Sequence, residues 1–203
     1  MNQKECIYPK ISAAISVILV FWIAAGILFG FGVVRPSQKS VDLMLFFSYF
    51  GEAPVVVGTC VLLIIIPRAR HTVALPVCSV VIVSSVIYIV LKIFFSSEPQ
   101  SLFQLLSGSN YGFPSGHAIN NASLYSMLMI QTFIYLKKLF GKILLALLFM
   151  SLTMMVGISR IILGIHQPGD VLAGWLIGFI ITFLVFFLLN AVLSRQNSAG
   201  LNR

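Results

Sequence analysis

Two short polar islands hold most of the residues in this chain that can do chemistry. The first is Gly112-Phe113-Pro114-Ser115-Gly116-His117. The second runs from Ser159-Arg160 to His166-Gln167-Pro168-Gly169-Asp170. Two of the chain's three histidines lie in them. In the first island, His117 opens an apolar, helix-length run. A helix start offers unpaired N–H groups and the positive end of the dipole, which together bind phosphate. Ser115 adds a hydroxyl donor, Gly116 has no side chain to keep an anion off the backbone, and His117 is placed to protonate a leaving oxygen. In the second island, the Arg160 guanidinium can hold two phosphate oxygens at once. Asp170, four residues after His166, can fix the tautomer of that ring and support the cation formed when it attacks. This set suits covalent phosphoryl transfer through a histidine. Taken singly, each residue has a plainer role: Ser115 and Asp170 as helix N-caps, His117 as an interfacial residue, Arg160 as an anchor reaching lipid head groups.

The elements that must position these residues are membrane spans. Of 203 residues, 59% are hydrophobic and 9% charged, and the mean hydropathy is +1.04. Soluble domains carry roughly 25% charged residues, so this is a polytopic membrane protein. The expected fold is all-α: one domain over residues 1–203, with six transmembrane helices in a single bundle. The spans fall near residues 11–34, 45–66, 72–95, 117–136, 143–165 and 170–193, each close to the ~20 residues that cross hydrocarbon. The first run exceeds a signal-peptide core and has no clear cleavage site, so it reads as a retained span.

Lys4, Lys10, Arg68, Arg70, Lys137, Lys138, Lys142, Arg195 and Arg203 all fall on one side of this arrangement. The positive-inside rule makes that side cytoplasmic. Both termini are then cytoplasmic, and Lys92 with both islands faces periplasm or cell exterior. Because the cations flank apolar runs, the net charge of +8 points to the bilayer and not to nucleic acid. Cys6, Cys60 and Cys78 lack metal-ligand spacing, and the latter two read as small packing residues. Residues 96–113 form the longest loop, either a short helix lying on the membrane surface or a plain loop with tucked leucines. Gly174-x-x-x-Gly178 permits close helix packing.

Pro114-Ser115-Gly116-His117, followed by Ser159-Arg160, His166 and Asp170, resembles the type 2 phosphatidic acid phosphatase superfamily of integral-membrane lipid phosphate phosphatases. The resemblance covers essentially the whole chain. It implies that His166 is the nucleophile, His117 the acid for the leaving group and Asp170 the residue that orients His166. Lys92, Ser115, Gly116 and Arg160 would bind phosphate, with no metal and no cofactor. The substrate would be a membrane lipid phosphate of polyprenyl diphosphate, phosphatidylglycerol phosphate, phosphatidic acid or lipid A type, cleaved at the outer leaflet of the cell (inner) membrane through a phosphohistidine.

One feature departs from the family pattern. The family's upstream motif follows its lysine with six residues and Arg-Pro. Here Lys92 is followed by Ser96-Ser97-Glu98-Pro99-Gln100-Ser101, and no arginine occurs before Arg160. Gln100 is nearest to the vacant place, and Arg35 or Lys39 can substitute from the first outer loop. Losing one charge-assisted bond to phosphate costs about 1.5–3 kcal/mol, enough to change substrate preference. Two alternatives follow: a lipid-to-lipid phosphotransferase, or a degenerate lipid-binding or transport protein. Composition argues strongly against a vanadate-dependent haloperoxidase, a soluble enzyme that by family resemblance shares the phosphate-site residues. Glu52, near the outer end of the second span, is either a charge partner for Lys92, Arg160 or a polar head group, or a water-exposed interfacial carboxylate.

Overall fold

The computed structural model describes residues 38–67, 69–95 and 112–200. The described residues are all helical apart from turns. The helices are α1 (Gln38–Tyr49), α2 (Ala53–Ile65), α3 (Leu75–Phe95, entered through a π-helical turn at Arg70–Ala74), α4 (Gly116–Tyr135), α5 (Leu139–Ile162) and α6 (Pro168–Gly200). Four stretches among the described residues are long and apolar enough to cross a membrane: Val41–Ile65, Thr72–Phe95, Leu139–Ile162 and Pro168–Val192. The expected first span, Arg35, Gln100 and nearly all of the 96–113 loop lie outside the described residues.

α4 is the hub. It packs against α3, α5 and α6, and fourteen of its twenty residues are buried. That explains a composition poor for a lipid-facing helix. Asn120, Ser123 and Gln131 face protein groups that hydrogen-bond them, while the buried amide of Asn121 has no partner among the described residues. Ser84 Oγ donates to Asn120 Oδ1 at 3.0 Å, tying α3 to α4. The Gly174–Gly178 pair lies against α4 within the same chain. A Cβ at Gly178 would sit 2.5 Å from the Ile119 carbonyl oxygen, and one at Gly174 would sit 2.8 Å from that of Ser115. Ser123 Oγ donates to the Gly178 carbonyl at 3.1 Å across this contact. Trp175 is buried and lies over Gly157 of α5.

The second span is not one helix, which corrects the continuous 45–66 helix expected from hydropathy. It breaks at Phe50, Gly51 and Glu52 because Pro54 has no N–H and its ring excludes the carbonyl four residues back. That carbonyl belongs to Phe50, and it accepts instead from Tyr125 Oη of α4 at 3.4 Å. Glu52 caps α2 with extended dihedrals, and its own carbonyl takes the Val55 and Val56 N–H groups, each at 3.1 Å. α5 starts four residues earlier than expected, directly after Lys137-Lys138. α6 starts two residues early, because Pro168 fits the first helical position, where no N–H is needed.

Candidate active site

The antiparallel bundle brings the C-terminal ends of α3 and α5 to the N-terminal ends of α4 and α6. At that end the two polar islands meet through the backbone: the Ser115 N–H donates to the Asp170 carbonyl at 3.2 Å. Residues more than fifty apart in sequence are thereby placed in one wall.

Ser115 holds the N-cap position of α4 with extended dihedrals, but its side chain makes no capping hydrogen bond. The residue is wholly buried, and Oγ has no partner among the described residues. The plain capping role is therefore not what its hydroxyl does. Ile119 donates the first intrahelical bond, to the Ser115 carbonyl, which leaves the N–H groups of Gly116, His117 and Ala118 as the orphan donors of the first turn. Gly116 has a further reason to be glycine. A Cβ there would lie 2.6 Å from the ring of Tyr88, which packs against it.

His117 is 5% exposed, and its Nε2 has no partner among the described residues. The ring lies within electrostatic reach of Arg160 and His166, and its other flank rests by Gly51, in the break between α1 and α2.

The second island is shaped by the end of α5. Gly164 takes φ +71°, the left-handed conformation that closes helices. The N–H groups of Ile165 and His166 then turn back to the Arg160 carbonyl at 3.0 and 3.1 Å. This fold-back is why His166 lands beside Arg160. Asp170 sits in the first turn of α6. Its Oδ2 accepts from the Gln167 N–H at 3.0 Å, half of a capping box, and lies 3.6 Å from His166 Nδ1. One carboxylate thus has both a capping and an orienting role. With Nδ1 turned to Asp170, Nε2 is the nitrogen left to face a ligand.

His166 is 6% exposed. Burial first, and then the Arg160 guanidinium, hold its pKa down at about 4 against the opposing Asp170 carboxylate. The ring is therefore neutral at pH 7, with its lone pair available.

Lys92 is 1% exposed at the end of α3, and its Nζ donates to the Gly112 carbonyl at 3.1 Å. It is close enough to both His166 and Asp170 to act on them electrostatically. Arg160, 5% exposed, donates from Nη1 to Ser48 Oγ of α1 at 2.9 Å. An open cleft of about 510 Å³ leads in from outside, bordered by Gly112, Gly164, His166, Gln167, Pro168 and Asp170.

The structure thus gathers Lys92, Ser115, Gly116, His117, Arg160, His166 and Asp170 at one end of the bundle. Glu52 stands apart from that charge network: half-buried in the α1–α2 break, it forms no ion pair with Lys92, Arg160 or any other described residue. Lys39 is exposed in the first turn of α1. Sequence reasoning missed Ser48 and Tyr88, both buried against site residues. The only signal for Ser48 was that Ser48-Tyr49-Phe50-Gly51-Glu52 interrupts an apolar run.

Among the described residues the protein is an all-helical, multi-pass membrane bundle with histidine, aspartate, arginine and lysine side chains gathered at one end. The PAP2 superfamily profile matches residues 73–193, and the chain belongs to that family. It is 32% identical over 144 residues to an undecaprenyl-diphosphatase of Sulfolobus acidocaldarius, covering 67% of this chain and 64% of that protein. It is 34% identical over 77 residues to phosphatidylglycerophosphatase B of Bacillus subtilis, covering 36% of this chain and 37% of that one. The chain thus spans less than two thirds of the length of either curated relative. Among solved structures, the fold is similar to that of the PAP2-type phosphatidylglycerolphosphate phosphatase of Bacillus subtilis, with TM-score 0.58 and 21% identity over 88% of this chain and 96% of that one. It is also similar to LpxE of Aquifex aeolicus, with TM-score 0.53 and 25% identity over 74% and 87%.

Proposed function

We propose that this protein is a metal-independent lipid phosphate phosphatase that works through a phosphohistidine. One observation carries the reading: His166 is buried beside Arg160, with Nδ1 facing Asp170 Oδ2 at 3.6 Å. In the first step, His166 Nε2 attacks phosphorus. The bond from phosphorus to the lipid oxygen breaks, and that oxygen takes a proton from His117. Asp170 stabilises the cation that develops on the attacked ring. In the second step, water gives its proton to His117 and its oxygen to phosphorus, the P–N bond breaks, and inorganic phosphate leaves. Lys92, Arg160, Ser115 Oγ and the first N–H groups of α4 face the equatorial oxygens, whose charge grows in the transition state. An anionic phosphate between Arg160 and His117 also supplies the counter-charge that lets His117 hold its proton.

The candidate lipids are undecaprenyl diphosphate and phosphatidylglycerol phosphate, which the names of the relatives support, together with phosphatidic acid and lipid A phosphates. The site faces periplasm or cell exterior and both termini face the cytoplasm. The asymmetry of Lys and Arg across the loops supports this orientation. Gln100 remains the nearest candidate for the place of the absent motif arginine, with Glu52 a contact for a polar head group.

The test is phosphate release from that lipid panel by detergent-purified protein with EDTA present, alongside His166→Ala. Release by wild type alone is expected. Folded wild-type protein that releases no phosphate but labels an acceptor lipid would make it a phosphotransferase. Lipid binding with no turnover of either kind would make it a binding protein.

A further inference from the structure

The hydrogen bond from Arg160 to Ser48 joins a motif residue to a helix that lies before the matched family region. Arg160 Nη1 donates to Ser48 Oγ at 2.9 Å, and the two residues are 5% and 2% exposed. The backbone around Ser48 is fixed. Its carbonyl accepts the Gly51 N–H at 3.0 Å, in the turn that breaks the second span. That turn is held against the site at two further points: Gly51 lies by Val156 of α5 and His117 of α4, and the Phe50 carbonyl accepts from Tyr125 Oη. A buried, backbone-locked acceptor restricts one arm of the guanidinium fork. An unheld arginine must give up its rotamer freedom on binding, and a two-pronged grip on phosphate needs the fork in one plane.

We propose that Ser48 is a positioning residue: it holds the Arg160 guanidinium in its phosphate-binding orientation, so that the α1–α2 break forms a functional wall of the site. This rests on the phosphatase reading for its turnover assay but not for its binding assay. The hydroxyl of Ser48 needs no contact with substrate for this role.

The experiment compares wild type, Ser48→Ala, Ser48→Thr and Arg160→Ala, with Ser48→Ala also made in the Arg160→Ala background. Two readouts are taken: turnover of the preferred lipid, and the rise in melting temperature produced by inorganic phosphate. Ser48→Ala should lower kcat/KM about ten- to a hundredfold, mainly through KM, and shrink the phosphate-induced shift. Ser48→Thr should restore both, because it keeps the oxygen. In the Arg160→Ala background, Ser48→Ala should change kcat/KM by less than about twofold, the mark of one shared interaction. An active wild type with Ser48→Ala within about twofold of it overturns the proposal, as do additive losses in the double variant. If Ser48→Ala melts without added phosphate well below wild type, Ser48→Cys takes its place, and failure of Ser48→Thr to restore the phosphate shift then overturns the proposal. A wild type without turnover sinks the phosphatase reading instead, while a Ser48-dependent phosphate shift still upholds the positioning role.

Discussion

Asp170→Asn is the substitution that most directly tests how His166 is activated. The exchange keeps shape and keeps an oxygen to accept the Gln167 N–H, so the start of α6 should hold. It removes a negative charge 3.6 Å from His166 Nδ1. At an effective dielectric constant of about 20, two unit charges at that distance interact by roughly 4.6 kcal/mol. The charge on His166 exists only as the ring becomes phosphorylated, so this energy favours the transition state over the free enzyme. At 1.36 kcal/mol per tenfold, the loss in rate is somewhat more than about three orders of magnitude. The effect cannot come from protonating the nucleophile. Asp170 raises the His166 pKa, so its removal pushes that pKa further below about 4, and the ring stays neutral at pH 7. The assay is single-turnover formation of acid-labile, base-stable phosphoenzyme from labelled lipid, with melting temperature measured in parallel. A variant within tenfold of wild type would refute the reasoning, as would one whose loss of rate follows a loss of folded protein.

Other outcomes follow from the same geometry. Because His166 has its pKa pushed down to about 4, the phosphorylation rate in single-turnover assays should be insensitive to protonation of this ring at neutral pH and fall as pH drops through about 4. Folding stability should respond in a different window: an unfolded histidine binds a proton from about pH 6.5 downward, so stability declines between about 6.5 and 4, and His166→Ala should flatten that part of a melting-versus-pH curve. Ser115→Ala should leave the melting temperature nearly unchanged, because no capping bond is lost, while KM rises; a clear drop in melting temperature would return Ser115 to a capping role. Gly178→Ala sets a Cβ 2.5 Å from the Ile119 carbonyl and should cost about 1–3 kcal/mol of stability by overpacking α4 against α6, read by thermal melting in detergent.

Much of this protein is legible in its sequence. Long apolar runs with few charges leave helices as the way to satisfy backbone groups in lipid; the hydropathy pattern placed the ends of α3, α4 and α5 within four residues, while α6 runs seven residues past its expected end, to Gly200. Pro-Ser-Gly-His and Ser-Arg…His…Asp picked out residues that the structure gathers at one end of the bundle, a grouping that costly intramembrane polar groups suggest. The break in the second span was also written there, in Pro54, but hydropathy averages over a window and passes across a single missing N–H. What the sequence could not give was assembly. The Ser115-to-Asp170 backbone bond, the choice of Tyr125 as the partner for the orphaned Phe50 carbonyl, and the reach of Arg160 to Ser48 each join residues far apart in the chain. Such contacts depend on which helix faces lie together, and that is decided by close packing of small residues such as Gly174 and Gly178 on α4. The residue types determined what chemistry was available; only the tertiary packing decided that two histidines, an aspartate, an arginine and a lysine would meet at one end of one bundle.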